Sequence, residues 1–499
     1  MGGISQTKMK FALLIVYAVI GTVPFIFAAV QPWVWSFYTA AIVAGFVFHL
    51  WQKTGGRIWV PGKIFFFTVG LFFVLTVCQC FPLPPGILAV LSAFRYQVMA
   101  QSTAIIEIPL SWQSLSYSPL ASLAWWTFLL SLLFFFLVLR ECFTSRRNLR
   151  FTLWVILAVA TLESLYGLMQ ALVPALGVLW VDYIEAYLGD ARGTFINRNH
   201  FAGFMEMVWP LALGYTLALG DWQRKGNPYG NNWKKKLKAM LSSDRSHHQL
   251  LFSLGIAIML LALLFSRSRA GIVGAFVGFL TFVVLSGSGN KRLPLGFWLM
   301  FGAIIGLVVI YGLKIGFAPI IERFLRLSDG DSRLGLWHDS LAVIKDHPLG
   351  IGLGNFQRVF TVYDVSVVSD ATTTHAHNDY LQLLVEAGWP GFLALVSGFY
   401  IFLGKSFVKV KRLSPHDDPL AFFIGIGALS GLVSMAFHSF FDFNLQMPAN
   451  CIYFTTLIAL VYVCVWERER WRGSGFLKDE RPTSNIERPT SNKKQKSNT

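Results

Sequence analysis

The sequence predicts an all-α polytopic membrane protein of about 12 transmembrane helices, with a large outer loop between helices 9 and 10. Composition is the first reason: 55% of the 499 residues are hydrophobic and 14% are charged, where soluble domains carry roughly 25% charged residues. The second is the recurrence of long uncharged runs from Phe11 to Trp466. The third is the placement of the basic residues along the chain. Secreted, fibrous and disordered classes are excluded together.

Twelve stretches approach the ~20 apolar residues that a span requires. They lie at about 11–30, 33–51, 64–81, 119–139, 151–173, 201–219, 249–266, 270–286, 295–313, 380–403, 420–441 and 449–466. The first follows Lys8 and Lys10 as a signal sequence would, but its apolar core is long for one and no convincing cleavage site follows, so it reads as a retained helix. With both termini cytoplasmic, alternate connections place 31 of the 42 Lys and Arg residues inside, as the positive-inside rule asks. Basic loops beside anionic lipid then account for the net charge of +16 without nucleic acid. The other 11, which include Arg192, Arg198, Arg267, Arg269 and Arg333, lie outside or at outer span ends and need another reason. The five cysteines form neither a disulfide framework nor metal-ligand pairs. Helices 1–4 occupy residues 1–150, a core that includes the outer loop 314–379 occupies 151–466, and a polar tail follows over 467–499. The tail, with its near repeat of Glu480–Asn485 at Glu487–Asn492, is expected to be disordered.

The most informative stretch runs from Thr374 to Gly391, closing the outer loop and opening the tenth span. Asn378 or Asp379 can cap a helix whose first segment ends near Gly388 and Pro390. Asn378, Gln382 and Glu386 are spaced by four, which aligns them in a polar stripe below His377. Hydrocarbon does not tolerate such a stripe, so it faces a wet cavity or protein interior. Imidazole suits proton transfer near neutrality, so His377 can deprotonate an acceptor hydroxyl; a histidine that merely bonds the loop is the equal alternative. A metal site on His375, His377 and Asp379 is a third, weaker pattern.

Arg267 and Arg269 sit in Ser266–Gly271, squeezed between two apolar spans. Guanidinium forks match phosphate oxygens, so a lipid diphosphate would explain both their charge and their depth, whereas the plainer alternative is an interfacial anchor. Arg333 opens a region that continues to the glycine run Gly350–Gly354, read as tight turns rather than a nucleotide loop, because no βαβ context surrounds it. Arg192, Arg198 and Asn199 at the entrance to the sixth span can bind sugar or phosphate. Glu163, His438 and Asp442 read as structural partners for these arginines.

Gly193–Gly203, Ser268–Gly271, Arg333 with Trp337, Asp346–Phe356 and His377–Gly388 together resemble the O-antigen ligase and polymerase superfamily, over roughly residues 150–460. The resemblance implies an inner-membrane glycosyltransferase that takes a glycan from an undecaprenyl diphosphate carrier on the periplasmic side, with no nucleotide sugar, metal or other cofactor. It implies that Arg269 and Arg333 hold the diphosphate, that His377 orients or deprotonates the acceptor, and that Asn378 supports it. Arg267 duplicates the pattern beside Arg269, and His375 beside His377. The acceptor stays open: lipid A core for a ligase, another lipid-linked chain for a polymerase, a protein hydroxyl for an oligosaccharyltransferase. A transporter or flippase of lipid-linked glycans is the alternative of another class.

Overall fold

The structure is a computed structural model, and it describes residues 2–52, 62–173, 175–180, 188–220, 244–287, 295–315, 331–365 and 373–467. The tail beyond Glu467 and the basic connection 221–243 lie outside the described residues, as do parts of the outer loop. The chain forms helices α1 (Gly2–Thr22), α2 (Pro32–Gln52), α3 (Lys63–Cys78), α4 (Pro85–Leu91), α5 (Ala93–Ile105), α6 (Pro119–Cys142), α7 (Arg146–Leu172) and α8 (Arg198–Ala218). It continues with α9 (Asp244–Phe265), α10 (Arg269–Gly287), α11 (Leu295–Ile315), α12 (Asp331–Asp346), α13 (Phe356–Phe360), α14 (Asp379–Val410), α15 (Pro419–His438) and α16 (Pro448–Val461). Among the described residues the only strand-like pairing is an isolated bridge between Leu83 and Gln113.

Nine helical segments among the described residues are long and apolar enough to cross a membrane, against the twelve expected. The other three expected positions carry shorter apolar helices, Phe11–Thr22, Phe67–Cys78 and Phe301–Ile310. Large apolar side chains such as Leu14, Phe37, Trp51, Leu120, Phe276 and Val284 are exposed on the outside of the bundle, the surface that lipid would cover.

The centre is built on α8 and α15, which are buried along almost their whole lengths. Lipid gives no hydrophobic reason for helices to pair, so close approach through small residues does it. A Cβ at Gly427 would stand 2.5 Å from the Pro210 carbonyl oxygen, so the two backbones touch.

The two ends of the bundle differ. At one end Arg146 pairs with Asp418 at 2.8 Å and Arg140 holds Glu467 at 2.9 and 2.7 Å. The opposite end gathers the first turns of α8, α10 and α14 and the last turn of α15. There the Asn199 amide reaches Asp442, and Gly271 of α10 lies against Ala202 and His438. His377 and Arg269 therefore belong to the same end.

Candidate functional site

His377 stands immediately before α14 with φ +47°, in the left-handed region that costs a non-glycine residue roughly 1–3 kcal/mol. The turn delivers the chain to Asn378, whose side chain accepts from the Leu381 amide at 3.1 Å as the helix cap. Asn378 is thus committed to starting α14.

Asp442, fully buried in the turn after α15, organises the centre. Its Oδ1 lies 3.1 Å from His377 Nδ1 and accepts from the Phe443 amide at 2.9 Å. Its Oδ2 accepts from Asn199 Nδ2 at 2.5 Å and lies 3.8 Å from Arg333 Nη2. Burial alone would raise its pKa. The hydrogen bond from His377 and the charge of Arg333 oppose burial and hold the carboxyl well below the usual range. The His377 and Arg333 side chains remain about one-third exposed, at 35% and 34%. With Nδ1 carrying its hydrogen toward Asp442, Nε2 presents a lone pair.

Phe443 packs the imidazoles into place. His375 stacks on it at 4.1 Å and His377 meets it edge-on at 4.7 Å. His375 Nδ1 lies 3.2 Å from Gln382 Oε1, and burial lowers its pKa to about 4, so it is neutral near pH 7. Trp337 of α12 donates to the Ala376 carbonyl at 3.1 Å, which fixes Arg333 beside this loop.

Two expected ligand residues are occupied by the protein. Gln382 and Glu386 are 2% and 4% exposed, so the polar stripe faces protein interior and not a wet cavity. The physical reason lies in the glycine run. Gly388 breaks α14 at φ 68°, ψ 176°, and the freed carbonyls of Val385 and Glu386 accept from the Ile351 and Gly352 amides at 3.1 and 3.0 Å. The Glu386 carboxylate takes the Gly354 amide at 2.9 Å, while Gln382 Oε1 takes the Ala376 amide at 3.2 Å. A Cβ at Gly350 would strike the Glu386 carbonyl, so only glycine allows this docking.

The arginines separate likewise. Asp190, which the sequence reading did not single out, is 1% exposed and joins Arg198 and Arg267, the latter at 3.1 Å. Arg192 is itself buried, at 1% exposure, too deep to meet a ligand at the surface. Arg269 opens α10 and is half-buried. Glu163 accepts from the Thr194 amide and hydroxyl, and His438 bonds Glu206. Asp442 meets Arg333. The alternative metal set does not converge, because Asp379 turns to the Ser439 hydroxyl and the Leu445 amide; among the described residues no cluster of metal-ligating side chains stands out.

No curated protein matches the chain. Residues 254–396 match the family model described as O-antigen ligase, a stretch that runs from α9 through Arg267, Arg269, Arg333 and the His377 loop into α14. This match supports membership of the chain in the O-antigen ligase superfamily.

Proposed function

We propose that the protein transfers a glycan from undecaprenyl diphosphate to an acceptor hydroxyl at the periplasmic face of the bacterial inner membrane. The observation that carries this reading is the His377–Asp442 pair, held at 3.1 Å with Arg333 beside the same carboxylate. The basic residues Arg140, Arg146, Arg147 and Arg150 lie at the opposite end of the bundle. By the positive-inside rule that end is cytoplasmic and the His377 end periplasmic.

The chemistry needs little machinery, because the diphosphate is already an activated leaving group. Nε2 of His377 takes the proton of the acceptor hydroxyl, the oxygen bonds to the anomeric carbon, and the bond from that carbon to the diphosphate oxygen breaks. Asp442 keeps the imidazole oriented and stabilises its protonated form. Arg333 and Arg269 hold the departing diphosphate, whose charge grows through the transition state. The carboxylates of this region are unsuited as nucleophiles: both oxygens of Asp442 are engaged, Glu386 is buried against loop amides, and Asp379 is buried with one oxygen held by the Ser439 hydroxyl and the Leu445 amide. A single displacement with inversion follows.

The test is purified protein with an undecaprenyl-diphosphate-linked glycan and candidate acceptors. His377→Ala is expected to lower transfer by about 10²–10⁴-fold while the donor still binds. Undiminished transfer would remove the base. Movement of the donor across a sealed vesicle without any transferred product would favour the transporter reading.

A further inference from the structure

We infer that the segment between α3 and α6, made of α4, α5 and the turns that flank them, is seated in the bilayer leaflet on the His377 side and not in the water beyond it. Its partner is bulk phospholipid. The inference goes beyond the transfer reaction and does not depend on it.

The segment is built inside out for a loop in water. From Pro82 to Ser118 it contains two charged residues, Arg95 and Glu107. The residues that α5 buries are Arg95 and Thr103, while Val98 and Ile105 of the same helix are exposed. Val90 of α4 is 84% exposed and Ile105 is 82% exposed. Ile106, Ile108 and Trp112 follow, exposed as well. Water would drive these side chains in and the guanidinium out. A helix that does the reverse needs an apolar medium on its outer side. Arg95 is accommodated because Nη2 donates to the Ser116 carbonyl at 3.2 Å and the guanidinium stands 3.9 Å over the Tyr117 ring, a cation on an aromatic face.

Continuity with the lipid-covered surface identifies that medium. Phe67 and Val74 of α3 and Phe81 just beyond it recur every seven residues and are all exposed, so the apolar stripe of α3 runs to the point where the segment starts. Pro82, Pro84 and Pro85 then end the helical path. Leu83 and Gln113 exchange backbone hydrogen bonds at 2.9 and 3.1 Å and close the segment at its base. Ser92, at φ −150° and ψ 77°, separates α4 from α5 and leaves helices of 7 and 13 residues. Both fall short of the ~20 residues that a crossing requires, so they lie along the leaflet. Trp112 at the edge of the segment suits the headgroup level.

Buried groups tie this contact to the region of the site. Tyr117 Oη lies 3.3 Å from His347 Nε2, and Phe94 of α5 meets the same imidazole edge-on at 5.4 Å. The Tyr117 amide donates to the Ile351 carbonyl at 3.0 Å. Ile351 and Gly352 are the residues whose amides hold α14 at its break. The leaflet therefore bears on the same packed unit that presents the His377 turn.

The experiment places photoreactive p-benzoylphenylalanine at Val90 or at Ile105 of the full chain, in nanodiscs of phosphatidylcholine alone or mixed with phosphatidylglycerol. Phe276, exposed on α10, is the lipid-facing reference. His338, exposed on the charge-rich helix α12, is the water-facing one. Phospholipid adducts at Val90 and Ile105 are expected within about threefold of the Phe276 yield and at least tenfold above that of His338. The yield is expected to be equal in both lipid mixtures, because the face carries no basic residue that would select an anionic headgroup. Yields at the His338 level overturn the inference. So do crosslinked dimers, which would assign the face to a second copy, and adducts that require the anionic lipid. Hydroxyl-radical labelling reads the same surface in the unmodified chain. Val90 is expected to be oxidised at least fivefold more slowly than Val362, a valine 78% exposed after α13; equal rates put the segment in water and sink the proposal.

Discussion

Two buried aspartates organise the same end of the bundle, and they use arginine in opposite ways. Asp190 closes on Arg198 and Arg267, whose side chains are 12% and 24% exposed. Asp442 holds Arg333 at 3.8 Å and His377 at 3.1 Å, and both keep about a third of their surface open. The first cluster shares one carboxylate between two guanidinium groups and ties the start of α8 to the α9–α10 turn. The second leaves donors facing outward. Equal numbers of charged groups at equal depth therefore do not imply equal chemistry; what matters is how much of each fork the protein already uses.

The largest effect that would sharpen this contrast is expected at Asp442. Asp442→Asn removes the carboxylate that orients His377 and is expected to lower turnover by about 10²–10⁴-fold, with the donor KM little changed, in steady-state kinetics on the purified protein. A change below threefold would make the pair structural. Next in size is the arginine comparison. Arg333→Ala is expected to lower kcat/KM by about 10–100-fold, in keeping with the loss of one charge-assisted contact worth roughly 1.5–3 kcal/mol. Arg267→Ala is expected to do far less to transfer, since Asp190 already occupies its fork. Equal losses would collapse the distinction between the two clusters.

The bundle was readable because hydrophobic length and basic-residue bias act locally along the chain. The cap at Asn378 and the break at Gly388 were readable for the same reason, each being set by a few neighbouring residues. Asp442 was not: it lies 65 positions from its imidazole partner, and a carboxylate at a span end reads equally as a structural counter-ion. Gln382 and Glu386 were visible as a stripe, but its occupant was hidden, because backbone amides of a glycine run carry no side-chain signature. Asp190 escaped because its two arginines come from separate elements, 8 and 77 residues away.

The closed cluster predicts a stability effect in place of a catalytic one. Asp190→Asn leaves two partly buried guanidinium groups without their shared anion, and thermal unfolding in detergent is expected to show a loss of about 1–3 kcal/mol, discounted for the exposure of both arginines. Activity per folded molecule should stay within about threefold. A catalytic loss without a thermal one would reverse the roles of the two aspartates.

The smallest expected effect separates the site from the loop that carries it. His347 is 2% exposed where α12 meets the α5 segment, with Tyr117 Oη 3.3 Å from Nε2 and Ser92 Oγ 3.5 Å from Nδ1. Burial lowers its pKa from 6.5 to about 4, the charge of Arg95 adding to burial and Asp346 opposing it. Between those values the unfolded chain binds a proton that the folded chain does not, so stability falls as pH drops from about 6.5 toward 4, with a limiting slope of about 1.4 kcal/mol per pH unit for one such group. His375 contributes in the same direction and window. His347→Gln is therefore expected to flatten the pH dependence of unfolding without abolishing it, and to leave turnover at pH 7 unchanged. A variant with the full slope would show that His375 and the site alone set acid sensitivity, and that the α5–α12 contact takes no part in it.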